Sequence, residues 1–118
     1  MTRRFSGFLV QTDPAVGIPR AFFTDVLPQL TELSEVQTTL AVFRLAAEAG
    51  GIESPVSAIA LRADRPLRAA LRVGGSPREP DERIVTGLDL ATGRGTLLRF
   101  VAERGSERDV WYLSLIHI

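Results

Sequence analysis

DERIVTGLDLATGRGTLLRFVAERGSERDVWYL, residues 81–113, is the stretch that decides the fold. Asp81 is a capping residue type, Glu82 suits the positive end of a helix dipole, and Ile84, Leu88 and Ala91 recur at helical spacing. This pattern predicts a helix over 81–92, stopped by Gly93 or Gly95. Thr96 to Val101 then alternates as a strand, with Leu97, Arg99 and Val101 on one side and Thr96, Leu98 and Phe100 on the other, one face buried and the other only partly sheltered. Residues 102–108 (AERGSER) supply a Gly105-Ser106 turn with flanking charge, and Asp109 to Leu115 is β-prone again. Helix, strand, charged turn and strand in this order predict the recognition helix and wing of a winged helix.

Upstream, Phe5 to Val10 is apolar and reads as an edge strand or a hook onto a neighbour, and Asp13-Pro14 marks a loop. Pro19 opens a helix carrying Phe22, Val26 and Leu30 on one face, which Pro28 bends or ends. Ser34 and Gln37 have capping-box spacing, so a helix is expected from Ser34 to Ala49, with Gly50-Gly51 as its stop. Val36, Leu40, Phe43 and Ala47 form its stripe, widened by Val42, Leu45, Ala46 and Ala49 until little polar face remains; this is the expected central post of the core. Val56, Ile59 and Ala60 suggest a short helix that Pro66 interrupts, Leu67, Ala70 and Leu71 a second one, and residues 74–80 (GGSPREP) a loop. The predicted architecture is mainly α with a small β-hairpin (α+β), a winged helix-turn-helix over 34–118 preceded by an N-terminal strand and helix extension over 1–33.

A chain of 118 residues is enough for one small domain with a single core. Fourteen basic and fourteen acidic residues leave it neutral, which argues against an avid, sequence-indifferent polyanion binder. The charge is uneven, with eight arginines against five acids over 55–99 and four against six over 1–54. All basic residues are arginine, suited to bidentate phosphate or guanine contacts and equally a mark of a GC-rich genome. Without cysteine there are no disulfides, thiol catalysis or thiolate metal sites, and no apolar run approaches a membrane span; these features predict a cytoplasmic chain.

His117 is the only histidine, and without Cys or Lys the usual Ser-His, Cys-His and Schiff-base arrangements cannot be assembled. Asp81-Glu82 and the Glu103, Glu107, Asp109 group read as helix-start electrostatics and a solvated hairpin tip rather than as a carboxylate pair for catalysis. Gly93-Arg94-Gly95 lacks the strand, third glycine and helix of a nucleotide loop. No enzymatic activity and no cofactor are expected.

FSGF near the start, IPRAFFTDVLPQLTELSEVQTTLAVFRL, ALRADRPLRAAL and the ending LDLATGRGTLLRF followed by WYL together resemble bacterial DnaD-like replication proteins, specifically short relatives of the DnaD N-terminal domain. The resemblance implies a winged helix with N-terminal elements for self-association, a role in primosome assembly where the replicative helicase is brought to DNA, and DNA and helicase-loading proteins as partners. Arg94 and Gly95 match the family's RGTLL turn, a mark of the fold before one of binding. Two departures stand out. Gly87 replaces an expected alanine, weakening the helix by about 1 kcal/mol. The ending LSLIHI, residues 113–118, reads like translated sequencing adapter, which predicts that native sequence stops after Leu113.

Two kinds of surface follow from the residues. For DNA, whether single-stranded, duplex or forked, the candidates are Arg83 and Thr86 exposed on the helix, Arg78 in its approach loop, and Arg104 and Arg108 on the wing. These arginines could equally pair with Glu79, Glu82, Glu103 and Glu107, and Asp81, Glu82 and Asp89 would repel phosphates. For self-association into a homo-oligomer the candidates are Phe5, Phe8, Leu9, Phe22 and Phe23, which either close the core from below or form an apolar patch for a partner. The functional alternatives are a winged-helix interaction module without independent DNA binding and a transcription regulator, which would need a more cationic reading helix.

Overall fold

The computed structural model of the protein describes residues 5, 7, 8, 14–72, 80–105 and 107–115, without the side chains of residues 104 and 107. These residues form an α+β fold, mainly helical with one three-stranded antiparallel sheet. Helix α1 spans Leu33–Ala49, strand β1 Val56–Ser57, helices α2 Ala58–Ala63, α3 Arg65–Leu71 and α4 Pro80–Arg94, and strands β2 Leu97–Arg104 and β3 Glu107–Ser114.

Ahead of α1, the chain makes a π-helical turn over Phe22–Val26 and a 3-10 turn over Leu27–Gln29. Pro28, which has no N–H to give to a helical ladder, sits in the first positions of the 3-10 turn, and the segment ends at Leu30 in extended backbone. Phe22, Val26 and Leu30 are its least exposed residues, as their spacing predicts. Phe22 is fully buried, edge-on to Phe43 of α1 at 5.4 Å between ring centroids.

Helix α1 starts one residue earlier than the capping-box spacing predicts. Glu32 is its N-cap in extended backbone without a side-chain capping bond, and Ser34 lies buried inside the first turn. The stop is as expected. Gly50 has φ +140° and donates to Ala47 O, and Gly51 donates to Ala46 O, the two bonds that satisfy the last carbonyls of the helix. The buried face overlaps the expected stripe only in part: Phe43, Val42 and Ala46 are buried as expected and Glu35, Thr38 and Thr39 are buried beside them, while Val36, Leu40 and Ala47 are half-buried. Where α4 crosses it, α1 presents Ser34 and Thr38.

That crossing is made at Gly87. A Cβ at position 87 would lie 2.6 Å from the Ser34 carbonyl oxygen, 2.6 Å from Thr38 Oγ1 and 2.9 Å from Thr38 Cβ. The missing side chain therefore sets the distance between the two helices, and Gly87 is not a mere weakening of α4 where alanine belongs. Helix α4 begins at Pro80, so Asp81 lies in its first turn and not at its cap. Ile84, Leu88 and Ala91 are buried as their spacing predicts. The helix continues through Gly93 to Arg94 and closes on Gly95 (φ +90°), whose N–H meets Thr92 O while Thr96 N–H meets Ala91 O.

Between α1 and α4, Val56–Ser57 is a strand where the apolar spacing suggests helix, because Val56 and Ser57 pair with Tyr112 and Trp111 of β3. Ser57 Oγ then caps α2 by accepting from Ala60 N–H at 3.0 Å, and Ile59 is exposed. Pro66 does not interrupt α2. Asp64 ends α2 and caps α3, accepting from Leu67 N–H at 3.0 Å, and Pro66 stands in the opening turn of α3, where a missing N–H costs nothing. Arg44 of α1 also bonds the Asp64 carboxylate, tying that junction to the central helix. Strands β2 and β3 pair from Leu97↔Ser114 to Arg104↔Glu107, around a turn at Gly105 (φ +61°), and β3 also carries β1, giving the order β1-β3-β2. The core gathers Val42, Ala46, Val56, Leu61, Leu67, Leu71, Ile84, Leu88, Ala91, Leu97 and Tyr112 between the helices and the inner sheet face. Among the described residues, no helix is long and apolar enough to cross a membrane.

Candidate nucleic-acid and assembly surfaces

Because α4 buries Ile84, Gly87, Leu88 and Ala91, the opposite side of the helix presents Glu82, Val85, Asp89 and Gly93. Arg83 lies on a shoulder of the buried stripe and Thr86 on the outward side, between Glu82 and Gly93. Both are half-buried, against the expectation that they are exposed, and Arg83 is already engaged within the protein. The helix cast as the reader thus offers Asp81, Glu82, Val85 and Asp89 to solvent, and the exposed arginine at its end, Arg94, is bonded to Glu35. Thr92, the next polar residue, spends its hydroxyl on the Leu88 carbonyl at 2.6 Å.

The other candidate cations divide in the same way. Arg78 lies outside the described residues. Arg104 closes the hairpin opposite Glu107, and its side chain is not described. Arg108 is exposed on β3, with its Nε 3.3 Å from Glu103 Oε1 across the hairpin. Arg68 reaches Asp81 at 2.7 Å, and Arg99 stands 3.8 Å from Asp89. Exposed pairs of this kind are worth about 0–1 kcal/mol each. They halve the local positive field while leaving the guanidinium groups reachable.

One pair is different. Glu35, only 1 % exposed, receives Arg94 Nε at 2.8 Å and a second Arg94 nitrogen at 3.1 Å, a fork on a carboxylate in the first turn of α1. The hydrogen bonds that Arg94 donates to Glu35 raise the Arg94 pKa above its ordinary value. The Arg94-Gly95-Thr96 turn therefore has a structural account: Arg94 fastens the end of α4 to the start of α1, Gly95 takes the left-handed backbone position, and Thr96 is buried at the entry to β2. Sequence reasoning places Glu35 beside a helix cap, since nothing local signals a partner 59 residues away.

Of the residues assigned to self-association, four are described, and they differ in exposure. Phe22 belongs to the core, so its place in that set is corrected. Phe23, next to it and packed edge-on against it at 5.6 Å, is half exposed. Phe5 and Phe8 are 69 % and 78 % exposed and touch each other edge to face at 4.9 Å. Leu9 lies outside the described residues.

A larger apolar surface lies on the sheet. Leu98, Phe100 and Ala102 of β2 stand opposite Leu113, Trp111 and Asp109 of β3 on the face turned away from the helices. Leu98 and Phe100 are exposed, and Pro55, Phe100, Ala102, Asp109 and Trp111 line a shallow hollow there. The alternation of residues 96–101 signals this half-sheltered face, but Trp111 and the contribution of β3 become visible only once the register is known. Comparison of the chain with protein-family models, with curated proteins and with solved structures finds no match in any of the three.

Proposed function

We propose that this chain is a self-associating winged-helix module of the DnaD-like replication kind, which helps bring the replicative helicase to DNA by holding a protein assembly together and contacts DNA only modestly. The winged-helix part is supported by the order of the elements, helix, strand, two short helices, helix and hairpin, with the strands ranked β1-β3-β2. Assembly as the main activity is carried by one observation: the apolar residues Leu98 and Phe100 are exposed on the outer face of β2 beside Trp111 of β3, while the outward side of α4 carries Glu82 and Asp89. An acidic helix face repels a phosphate backbone, and an uncovered apolar strand favours a protein partner. The same α4 face weighs against a transcription regulator reading bases through this helix.

The test combines light scattering over a concentration series with fluorescence anisotropy of labelled single-stranded, duplex and forked DNA over a salt series. The proposal expects an oligomer, with DNA binding that weakens with salt and with Arg104→Ala/Arg108→Ala together. An oligomer blind to all three DNAs leaves an interaction module without a replication-fork contact. A monomer that binds duplex DNA tightly and sequence-selectively overturns the proposal in favour of a regulator.

A further inference from the structure

Strand β2 is the edge of the sheet, and nothing among the described residues pairs with its outer side. It is eight residues long, has no proline or lysine, and keeps a one-to-one register with β3 that contains no bulge. Those are the devices that ordinarily blunt an edge, and Leu98, Arg99, Phe100 and Val101 are exposed in succession along it.

Hydrogen-bond parity shows which groups face outward. Leu115 N–H donates to Thr96 O at 3.0 Å, so residues 96 and 115, the pair next after Leu97↔Ser114, form a bonded pair. In an antiparallel ladder bonded and non-bonded pairs alternate, which makes 98, 100 and 102 the residues bonded to β3 and turns the N–H and C=O of 97, 99, 101 and 103 toward the free edge. A second β2 can pair there antiparallel about a two-fold axis only if outward residues meet outward residues, so the axis must fall on a residue. An axis on 99 or on 103 sets like charges face to face. An axis on 100 or on 102 leaves Arg99 and Glu103 opposite uncharged residues. An axis on Val101 sets Val101 opposite itself and Arg99 opposite Glu103 of the partner subunit, twice.

We infer that β2 is a homodimerisation edge, pairing antiparallel with β2 of a second copy about Val101 and joining the two sheets through paired Arg99 and Glu103. Charges on an edge ordinarily guard it, but here their opposite signs, two residues either side of a half-exposed valine, make the edge complementary to itself. Arg99 and Glu103 are more than half exposed, and their present partners, Asp89 at 3.8 Å and Arg108 at 3.3 Å, are exposed pairs that exchange at little cost. Pairing also extends the outer face of Leu98, Phe100 and Trp111 across the axis into one broader apolar surface. This inference rests on the assembly reading above and names its partner and register.

The test is dimer dissociation measured by analytical ultracentrifugation, with far-ultraviolet circular dichroism to verify that each variant is folded. Arg99→Glu or Glu103→Arg alone sets two like-charged pairs across the axis and is expected to weaken the dimer about tenfold or more. Both together restore opposite charges and are expected to recover most of the affinity. Because the chain has no cysteine, Val101→Cys provides an independent readout: residues paired across the axis have Cβ atoms about 4.5–5.5 Å apart, within reach of a short bismaleimide linker. The linker should then yield a covalent dimer, and Val85→Cys, exposed on α4, should not. A wild-type monomer overturns both this inference and the assembly reading. A dimer indifferent to the single reversals, not restored by the double one, or not linked through position 101 overturns the inference alone; if Phe5→Ser/Phe8→Ser dissolves that dimer, the assembly reading stands on a different surface.

Discussion

Two glycines of α4 should respond to the same substitution in opposite directions. Alanine is favoured over glycine in a helix interior by about 1 kcal/mol, so propensity alone predicts that Gly87→Ala and Gly93→Ala both stabilise. At Gly93 the added methyl meets no atom within 4 Å, and the full gain of about 0.5–1 kcal/mol should appear. At Gly87 it would lie 2.6 Å from the Ser34 carbonyl oxygen and from Thr38 Oγ1. The Thr38 hydroxyl could swing away, but the carbonyl belongs to the backbone of α1, so the helices must part. Overpacking of this kind costs about 1–3 kcal/mol, and a gap opened by half an ångström or more forfeits a quarter to a half of the dispersion attraction nearby. Against the propensity gain, Gly87→Ala should lose about 1–2 kcal/mol net. For a domain of this size that is a fall in Tm of about 4–8 °C, against a rise of about 2–4 °C for Gly93→Ala. Thermal and urea unfolding followed by circular dichroism at one protein concentration would measure both, with an unchanged urea m-value showing that the denatured state is not responsible. A Gly87→Ala protein as stable as wild type, or shifted in parallel with Gly93→Ala, would refute the close crossing of α1 and α4.

Three further expectations follow from the packing. Arg94→Met strips the buried Glu35 carboxylate of its fork and should lower the urea midpoint much more than Arg99→Met, which removes only an exposed pair; since the pair raises the Arg94 pKa, its contribution is complete below arginine's ordinary value and is lost only as pH climbs through the raised one, so the Arg94→Met deficit should stay constant from neutral to mildly alkaline pH. Phe22→Ala should cost about 3–5 kcal/mol and Phe23→Ala under about 1 kcal/mol in chemical denaturation, adjacent phenylalanines separated by burial alone; equal losses would contradict the packing of Phe22 on Phe43. Asp64→Ala removes the cap of α3 and the partner of Arg44, and should cost about 1–2 kcal/mol, whereas Asp64→Asn should keep most of the cap and lose less.

The features legible in the sequence are those decided within a few residues. Ile84, Leu88 and Ala91 recur at the spacing of one helix face, and the helix they predict is present with that face inward. Gly50 and Gly95 end their helices because backbone with positive φ closes a helix and glycine adopts it without a Cβ penalty. Gly105 makes the hairpin turn for the same steric reason. For the candidate surfaces the outcome is mixed. Arg108 is exposed as expected, while Arg83 and Thr86 are half-buried; of the phenylalanines, left open between core and patch, Phe5, Phe8 and Phe23 are exposed and Phe22 is buried. The difference between Phe22 and Phe23 cannot be read from two identical neighbours, because it depends on a π-helical turn that aims one ring at Phe43.

Composition, periodicity and turn chemistry by themselves determined a small, charge-balanced chain of helices and a hairpin, since backbone sterics and the repeat of apolar side chains act locally. The tertiary structure alone decided that the inward face of α1 is partly polar, that Val56–Ser57 is a strand, that Gly87 is a contact, and that Glu35 is a buried anion held by Arg94. Each of these depends on a group far away in the chain: β3 supplies the hydrogen bonds of β1, α1 supplies the carbonyl that excludes a methyl at 87, and Arg94, 59 residues on, supplies the guanidinium that meets the buried Glu35 carboxylate.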